Sequence, residues 1–216
     1  MRTHVLLDLD GTISDPSVGL GRSLAYAFET CGYEPLSDDQ VRALIGPPFE
    51  VTLPQHGVPH DDLPRVVDAY RERYEAVGLY ENEVYDGVAE MLAALDSGWT
   101  LALATAKPEP TARRIVEYFG LGHHFEVQAG ATLAVGSSRR TKAEVITYAL
   151  AELAITPGDH VVMVGDRDHD VEGALANGID CIGVTWGFGS HAELTGAGAT
   201  AVAHHPTDVV TAIAGR

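Results

Sequence analysis

Two carboxylates separated by a single residue stand near the start of the chain. An apolar run that begins at Val5 ends in Asp8-Leu9-Asp10-Gly11-Thr12, and such a run followed by a turn signal predicts a short buried strand. Because side chains alternate along a strand, Asp8 and Asp10 are predicted to project from the same side, at the carboxyl end where parallel sheets bind ligands. A hard divalent cation, of which Mg²⁺ is the first candidate, would relieve the repulsion between the two carboxylates. It would also bring a bound phosphate within reach of one of them. This stretch alone leaves open a strand that simply ends in a solvated acidic turn.

Later positions carry residue types that suit phosphoryl chemistry. Thr105 ends an apolar strand and is followed, from Ala106, by backbone N–H groups that form a suitable cradle for phosphate oxygens. Lys142 stands at a predicted helix start, where the helix dipole disfavours a cation and so indicates a nearby anion. Asp166 and Asp170 follow another apolar strand at a helix start, where one can bind a metal and the other can orient the metal's ligands. Each position also has a purely structural alternative, such as a strand end, a solvated lysine or a helix cap.

The second part of the chain supplies the elements that must position these residues. Apolar runs predict strands at 101–105, 125–128, 161–164 and 181–184, and helical periodicity predicts helices at 88–95, 111–119, 142–153 and 171–176. Strands that alternate with helices predict an α/β fold, a Rossmann-like parallel sheet with right-handed crossovers and helices on both faces. One edge of that sheet would carry the residues Asp8, Asp10, Thr105 and Asp166.

The stretch from about 15 to 82 has a different character. Its periodicity predicts helices at 17–31, 38–44 and 63–77, and Gly46-Pro47-Pro48 must break any helix. Because it separates the first strand from the alternating units, we interpret it as an inserted helical domain over the carboxyl end of that strand. The predicted organisation is an α/β core domain of residues 1–14 and 83–216 and a helical domain of residues 15–82.

Composition limits the partners. The 216 residues include 31 acidic and 14 basic side chains and have a formal charge of −17, so the long-range field repels nucleic acids and anionic membranes. We therefore expect neither nucleic acid nor a membrane as partner. No apolar run is long enough for a membrane span or a signal sequence, which predicts a cytoplasmic protein. We expect either a monomer or a homodimer. The two cysteines, Cys31 and Cys181, lie far apart and are expected to be reduced.

The four signals together resemble one family over the length of the chain. Asp8-Leu9-Asp10-Gly11-Thr12, the strand-end Thr105, the isolated Lys142, and Gly165-Asp166 with Asp170 occur in the order found in the haloacid dehalogenase (HAD)-like hydrolases. The resemblance implies that Asp8 is a nucleophile that forms an aspartyl-phosphate. It also implies that Asp10 is the general acid–base, with a backbone carbonyl that ligates Mg²⁺. The helical insertion resembles the C1 cap domain of that family.

The resemblance also implies sets of binding residues. The expected metal ligands and their partners are Asp8, Asp10, Asp166 and Asp170, while the expected phosphoryl- and substrate-binding residues of the core are Gly11, Thr105, Ala106 and Lys142. In the cap, Arg22 and Arg71 are candidates to bind a second anionic group of the substrate, although each is also typical of a solvated helix position. His169 lies in the same loop as the predicted metal ligands and is expected to face solvent.

Cap and loop motifs resemble the phosphoglycolate phosphatase-like branch of the family; they are Ile45-Gly46-Pro47-Pro48, Tyr70-Arg71, Glu81-Asn82, Tyr85-Asp86-Gly87 and Thr185-Trp186-Gly187-Phe188-Gly189. The expected activity is therefore Mg²⁺-dependent hydrolysis of a small phosphorylated metabolite, with 2-phosphoglycolate as the first candidate. Nucleoside monophosphates and sugar phosphates are alternative substrates, and a β-phosphoglucomutase-like activity stays open. Asp10 argues against dehalogenation, which forms no alkoxide to protonate. A different class of function is a phosphoryl-accepting signalling or Mg²⁺-binding module.

Overall fold

The structure is a computed structural model that describes residues 3–45, 49–132, 139–156 and 159–215. The predicted helix break at Gly46-Pro47-Pro48 lies outside the described residues. Within those ranges the chain forms two compact units, one in Met1–Ser14 with Val84–Arg216 and the other in Asp15–Glu83.

The elements are numbered along the chain. The strands found in the described residues are β1 (Thr3–Leu7), β2 (Ser14–Asp15), β3 (Glu83–Val84), β4 (Thr100–Pro108), β5 (Phe125–Ala131), β6 (His160–Gly165), β7 (Asp180–Val184) and β8 (Ala201–Ala203). The helices in the same ranges are α1 (Ser17–Cys31), α2 (Asp38–Ala43), α3 (Phe49–Thr52), α4 (Leu63–Ala76), α5 (Val88–Asp96), α6 (Glu109–Tyr118), α7 (Lys142–Glu152), α8 (Asp168–Ala176), α9 (His191–Ala197) and α10 (Pro206–Ala214).

A parallel sheet forms the centre of the first unit. Across the described residues it has six strands in the order β5-β4-β1-β6-β7-β8. Strand β1 pairs in parallel with β4 on one side and β6 on the other, so that Leu6 lies between Ala102 and Met163. Such central strands are covered on both faces and are apolar throughout, which explains why β1 reads as an uninterrupted apolar run. The predicted α/β fold with a parallel sheet is confirmed.

The strand order also indicates where on the sheet a ligand would bind. From β1 the chain proceeds to β4 and β5 on one side and then returns to β6, β7 and β8 on the other. The point at which the strand order reverses is where open α/β sheets bind their ligands, outside the carboxyl ends of the strands. In this chain it lies beside β1 and β6, whose carboxyl ends lead into the segments that contain Asp8 and Asp166.

Helices α7 and α8 cover one face of the sheet. The core cluster on this face combines buried residues of β1, β4 and β6 with residues of the two helices, among them Leu6, Ala102, Met163, Val145, Ile146, Ala149, Val171 and Ala174. Burial of this apolar area, at roughly 25 cal/mol per Å², fixes both helices on the sheet. The side chains at their amino-terminal ends are thereby placed near the carboxyl edge.

Several element boundaries differ from the prediction. Strand β4 continues past Thr105 to Pro108, and α8 begins at Asp168 rather than at residue 171. Strand β8 and helices α9 and α10 have no counterpart in the predicted set. Strand β8 has three residues, two of them alanine, at the edge of the sheet, so it leaves no apolar run in the sequence.

The second unit is helical, with α1 and α4 as its longest elements. Gly19 of α1 meets the chain that follows α4 so closely that a Cβ added to it would lie 1.9 Å from the carbonyl oxygen of Gly78. The Glu81 carboxylate forms ion pairs with two guanidinium groups, that of Arg22 at 2.7 Å (Nη1 to Oε1) and that of Arg73 at 2.8 Å (Nη1 to Oε2). Among the described residues of the chain, no helix has both the length and the apolar character that crossing a membrane requires.

Candidate active site

Asp8 and Asp10 lie in the loop after β1, whereas the prediction placed them on the strand. Strand β1 ends at Leu7, although the Asp8 N–H still donates to the Val164 carbonyl at 3.0 Å. The Leu9 carbonyl then accepts a hydrogen bond from the Ile13 N–H at 2.9 Å, which closes a turn. Gly11 lies within this turn and has a φ of +84°. A left-handed φ of this kind favours glycine. The turn, rather than strand alternation, therefore sets the directions of the two carboxylates.

Lys142 joins two carboxylates in the interior of the first unit. Its Nζ lies 2.8 Å from Oδ1 of Asp8 and 2.7 Å from Oδ1 of Asp170, and it also donates to the Ala104 carbonyl at 3.0 Å. The exposed fractions of Lys142, Asp8 and Asp170 are 4%, 4% and 0%. The position of Lys142 at a helix start predicted a nearby anion, and the structure shows two, Asp8 and Asp170. Because Lys142 is buried, the alternative of a solvated surface lysine is wrong.

The amino-terminal end of α7 holds Lys142 in place. Thr141 is the N-cap residue, and its hydroxyl accepts from the Glu144 N–H at 3.3 Å while Glu144 Oε2 accepts from the Thr141 N–H at 2.8 Å. This reciprocal capping box satisfies backbone donors that the first helical turn would otherwise leave unpaired. The first residue of the helix, Lys142, is thus directed by a fixed helix start.

Asp166 directly follows β6 and is fully buried. Its Oδ2 accepts from the Phe188 N–H at 2.7 Å. The segment around Phe188 lies so close to the loop after β1 that a Cβ added to Gly187 would be 2.2 Å from the Gly11 carbonyl oxygen. The indole of Trp186 also donates to the Thr12 carbonyl at 3.0 Å. The loop after β7 therefore orients Asp166 against the loop after β1.

Asp170 and His169 both lie close to Asp8. Both Asp170 oxygens have protein partners, since Oδ1 contacts Lys142 and Oδ2 accepts from the Arg167 N–H at 3.0 Å. Asp170 is therefore placed to hold Lys142, and it also lies in a group of possible metal ligands with Asp8 and His169; its predicted part in the metal site stays a prediction. The His169 side chain is 30% exposed, and one of its ring nitrogens lies within 4.8 Å of carboxylate oxygens of Asp8 and Asp170.

Asp10 has a partner that sequence reasoning missed. The Nζ of Lys107 lies 2.5 Å from Oδ2 of Asp10, and the Lys107 side chain is 6% exposed. One signal was available in the sequence, because the chain has two lysines, of which Lys107 follows the predicted strand 101–105 and Lys142 begins the predicted helix 142–153. Lys107 stands two residues after Thr105, and its N–H donates to the Thr105 hydroxyl oxygen at 3.2 Å.

Thr105 belongs to the same group, whereas the two predicted substrate-binding arginines belong to the second unit. Thr105 is 1% exposed, and its hydroxyl lies near enough to Asp8 to help lower the pKa of that carboxyl. Ala106 follows it within β4. Arg22 and Arg71 belong to the second unit, where Arg22 pairs with Glu81 and Arg71 lies 4.0 Å from Asp68. The first unit thus brings together the predicted core residues, which are Asp8, Asp10, Gly11, Thr105, Ala106, Lys142, Asp166 and Asp170.

Charge is distributed unevenly in this group. Burial alone would raise the pKa of Asp8, but the ammonium of Lys142 outweighs it and lowers the pKa. Burial raises the pKa of Asp10 in spite of Lys107. The pKa of Asp166 is raised well above its usual value by burial and then by the charges of Asp170 and Asp8. Asp8 is therefore held as a carboxylate, while the negative charge at Asp166 is poorly compensated by the protein.

The donor atoms of this group fit a hard divalent cation. Such ions take oxygen ligands, mostly from carboxylates and backbone carbonyls. Oδ1 of Asp10 is buried and has no hydrogen-bond partner in the described residues, and the Asp166 carboxylate carries charge that a cation would stabilise. The residues present are thus compatible with a metal site next to Asp8.

Comparison with known proteins agrees with this geometry. The family model of the haloacid dehalogenase-like hydrolases matches residues 5–184. The tyrosine-protein kinase PtkA of Mycobacterium tuberculosis is 42% identical over 204 residues, covering 94% of this chain and 69% of PtkA. A 5′-nucleotidase of Pseudomonas aeruginosa is 39% identical over 206 residues, covering 94% of this chain and 89% of that protein.

More distant relatives and a solved structure place the chain in the same group. A phosphoglycolate phosphatase of Agrobacterium fabrum is 29% identical over 192 residues, covering 85% of this chain and 80% of that protein. A crystal structure described as a predicted phosphatase from Clostridium acetobutylicum superposes with a TM-score of 0.90 at 34% identity and covers 100% of both chains. The chain therefore belongs to the haloacid dehalogenase-like hydrolases, as an α/β phosphatase of that family.

Proposed function

We propose that this protein hydrolyses phosphomonoesters in a Mg²⁺-dependent reaction through an aspartyl-phosphate on Asp8. The observation that carries the proposal is the buried contact of Asp8 with Lys142 at 2.8 Å. It keeps a desolvated carboxylate ionised, as a nucleophile requires, and it places an ammonium where the oxygens of an incoming phosphoryl group would gather.

The reaction divides into two displacements. In the first, an Asp8 oxygen attacks phosphorus, the bond from phosphorus to the ester oxygen breaks, and Asp10 gives its proton to the leaving alkoxide. In the second, water attacks the phosphorus of the aspartyl-phosphate, Asp10 takes a proton from that water, and the bond to Asp8 breaks to release inorganic phosphate. Thr105 and Lys142 hold the phosphoryl oxygens in both steps.

The proposed Mg²⁺ ligands are the Asp8 and Asp166 carboxylates and the Asp10 backbone carbonyl. When bound, the ion neutralises charge on the phosphoryl group. Asp170 instead keeps Lys142 in position, because its oxygens are already engaged by Lys142 and Arg167. Asp166 is then the proposed ligand whose carboxylate depends most on the ion for a counter-charge.

Asp166→Asn is expected to remove the effect of Mg²⁺ on stability. Millimolar Mg²⁺ should raise the Tm of the wild-type protein by several degrees, because an ion that binds only the folded state stabilises it. The variant should fold and show a shift at least about fivefold smaller, since it lacks a charged ligand. Thermal unfolding with Mg²⁺ and with EDTA measures both shifts. Equal shifts in the two proteins would remove Asp166 from the metal site.

Two substrate classes have support. The 5′-nucleotidase of P. aeruginosa is 39% identical to this chain and the phosphoglycolate phosphatase of A. fabrum is 29% identical. We therefore place nucleoside 5′-monophosphates first and 2-phosphoglycolate, which the sequence motifs favoured, second. Both are alkyl phosphomonoesters, so the reacting centre is the same and the rest of the molecule decides the preference.

A second candidate function is phosphoryl transfer to a tyrosine hydroxyl. It is favoured by one observation, the 42% identity to the tyrosine-protein kinase PtkA. The same aspartyl-phosphate serves both functions, because the second displacement needs only an acceptor oxygen, either from water or from a phenol. The two functions therefore differ in the acceptor and the donor rather than in the core residues.

Phosphate release from a substrate panel tests the proposal. The panel contains adenosine and uridine 5′-monophosphates, 2-phosphoglycolate, glucose 6-phosphate, β-glucose 1-phosphate and p-nitrophenyl phosphate, each with Mg²⁺ and with EDTA. We expect turnover of one alkyl phosphate with kcat/KM of about 10⁴ M⁻¹s⁻¹ or more and loss of turnover in EDTA. Incubation with labelled ATP and a tyrosine-containing protein tests the second function. Label transfer to tyrosine without phosphate release from the panel would replace the first proposal by the second.

A further inference from the structure

A carboxylate from a distant helix holds the segment that follows Asp166. Oε1 of Glu193, on α9, accepts from Nε of Arg167 at 2.8 Å and from the Asp168 N–H at 3.1 Å. The side chains of Arg167 and Glu193 are 23% and 26% exposed, so their contact is partly shielded from water. The proposed reaction gives Asp166 a part in cation binding but gives no role to Glu193, which is 26 residues from Arg167 along the chain.

The start of α8 lacks a suitable capping residue of its own. Helix N-caps favour Ser, Thr, Asp and Asn, whose side-chain oxygens accept from N–H groups of the first turn. Arg167 occupies this position, and an arginine side chain offers no acceptor. The N–H of Asp168, the first residue of α8, donates to Glu193 instead. Glu193 thus supplies from another helix an acceptor that the local sequence does not provide.

Helix α9 is itself fixed against the sheet. The hydroxyl oxygen of its N-cap residue, Ser190, accepts from the Glu193 N–H at 3.1 Å. The next residue, Leu194, is buried and packs so closely on β7 that a Cβ added to Gly183 would lie 2.9 Å from a Leu194 methyl carbon. The Glu193 carboxylate is therefore presented by an anchored helix, and such elements position side chains more precisely than free loops do.

The chain that enters α9 also lies directly against Asp166. A Cβ added to Gly189 would be 1.9 Å from the Asp166 carbonyl oxygen and 3.3 Å from Oε1 of Glu193. The Phe188 N–H donates to Oδ2 of Asp166 at 2.7 Å. Asp166 is thus held at its carboxylate by the segment before α9 and, through the residues that follow it, by Glu193.

The charges around Asp166 oppose its position while no cation is bound. The carboxylates of Asp8 and Asp170 act on Asp166 as like charges, and like charges in a buried group repel one another. A carboxylate under such repulsion keeps one orientation only when the surrounding backbone is held in place. Removal of the groups that orient metal ligands commonly weakens metal binding by about 10- to 100-fold.

We propose that Glu193 is a positioning residue that keeps Asp166 in the arrangement that binds the divalent cation. This role rests on the Mg²⁺ site of the proposed function. Glu193 acts through the start of α8, because its Oε1 fixes both the Arg167 side chain and the Asp168 backbone. Asp166 directly precedes these two residues, so the direction of its carboxylate depends on where they are held.

Binding of Mn²⁺ in the absence of substrate tests this role. Mn²⁺ favours the same oxygen ligands as Mg²⁺, and the electron paramagnetic resonance signal of the free ion measures how much is bound. In Glu193→Ala we expect Kd for Mn²⁺ to rise at least about tenfold, as for other groups that orient metal ligands. Displacement of bound Mn²⁺ by Mg²⁺ gives Kd for Mg²⁺, which should rise by a similar factor.

Two further variants separate the reach of the side chain from its charge. Glu193→Gln keeps an acceptor oxygen at the same reach, so Kd should rise less than about fivefold, since a hydrogen bond to a neutral oxygen is weaker but is still made. Glu193→Asp keeps the charge but is shorter by one methylene group, so its carboxylate no longer reaches both donors. Its Kd should rise about as much as that of Glu193→Ala.

Glu172→Ala serves as the control variant. Glu172 is exposed on α8, so its substitution removes one negative charge from the same helix without a change at Glu193. Because solvent and salt screen an exposed charge, Kd for Mn²⁺ should stay within about twofold of the wild type. Circular dichroism and thermal unfolding in EDTA establish that each variant is folded.

Three outcomes would overturn the role of Glu193. Wild-type affinity for Mn²⁺ in folded Glu193→Ala, or in Glu193→Asp if the first variant does not fold, would show that Asp166 is held without it, while the proposed hydrolysis still stands. Weak binding in Glu193→Gln with wild-type binding in Glu193→Asp would assign the effect to charge. Wild-type protein that binds neither Mn²⁺ nor Mg²⁺ would remove the metal from the proposed function and this role with it.

The opposite pattern supports the proposal. It consists of weak Mn²⁺ binding in Glu193→Ala and Glu193→Asp, together with affinity close to that of the wild type in Glu193→Gln and Glu172→Ala.

Discussion

Asp8→Asn is expected to lower kcat for phosphate release by about 10⁴-fold or more while the protein stays folded. The amide is a poor nucleophile, so no covalent intermediate forms, and the loss of a catalytic nucleophile is commonly of this size. The variant should fold because Lys142 keeps its contact with Asp170 at 2.7 Å and its bond to the Ala104 carbonyl.

Two measurements check this result. Steady-state phosphate release with Mg²⁺ gives kcat, and acid quenching of the reaction with a labelled phosphomonoester traps any phosphoprotein. Wild-type protein should retain label and Asp8→Asn should not. Asp61→Asn is a matched control that removes the same charge from an exposed position, and it should behave as wild type. Label retained in Asp8→Asn would place the nucleophile elsewhere.

Lys142→Met is expected to give the largest loss of stability. It leaves the Asp8 and Asp170 carboxylates buried at 4% and 0% exposure without their shared cation. Removal of one partner from a buried ion pair typically costs about 3–5 kcal/mol, because the remaining charge is uncompensated. Phosphate release should also fall about 1,000-fold or more, since the ammonium no longer neutralises the phosphoryl oxygens.

A second change separates these two effects. Lys142→Met combined with Asp170→Asn removes one of the stranded charges and should regain about half of the lost free energy of unfolding without regaining activity. Urea unfolding in EDTA measures the free energies, and Arg140→Met, at an exposed position two residues before Lys142, serves as the control. If Lys142→Met unfolds at the same urea concentration as wild type, the buried ion pair does not contribute to stability as argued.

Much of the fold could be predicted because its signals are local. Each buried parallel strand reads as an apolar run bounded by turn residues, and each long helix shows its periodicity over several turns, as α1 and α7 do. Prediction failed where local signals were weak or where a neighbour changed the outcome. Strand β8 is three residues long, and β1 ends at Leu7 because the turn at Leu9 takes over the backbone hydrogen bonds.

The residue types and their order along the chain were enough to predict a phosphoryl-transfer site. Asp8, Asp10 and Asp166 follow strands, Thr105 lies near the end of β4 and Lys142 begins α7. Parallel strands collect such positions at one edge whatever the details of packing. The pairing among them was beyond the reach of sequence reasoning. Lys107 and Asp10 are 97 residues apart and Lys142 and Ala104 are 38 apart, so their contacts depend on strand register and helix docking.

The same distinction explains the partners of Asp170 and Asp10. Spacing of four at the start of α8 put Asp166 and Asp170 near one another, but the docking of α7 on α8 brought Lys142 to Asp170 and gave that aspartate a partner. In the same way, the contact between Asp10 and Lys107 depends on the turn after β1 and on the path of β4. Local patterns act over a few residues and so define which groups are available, whereas the charge that each group bears depends on burial and on neighbours from distant segments.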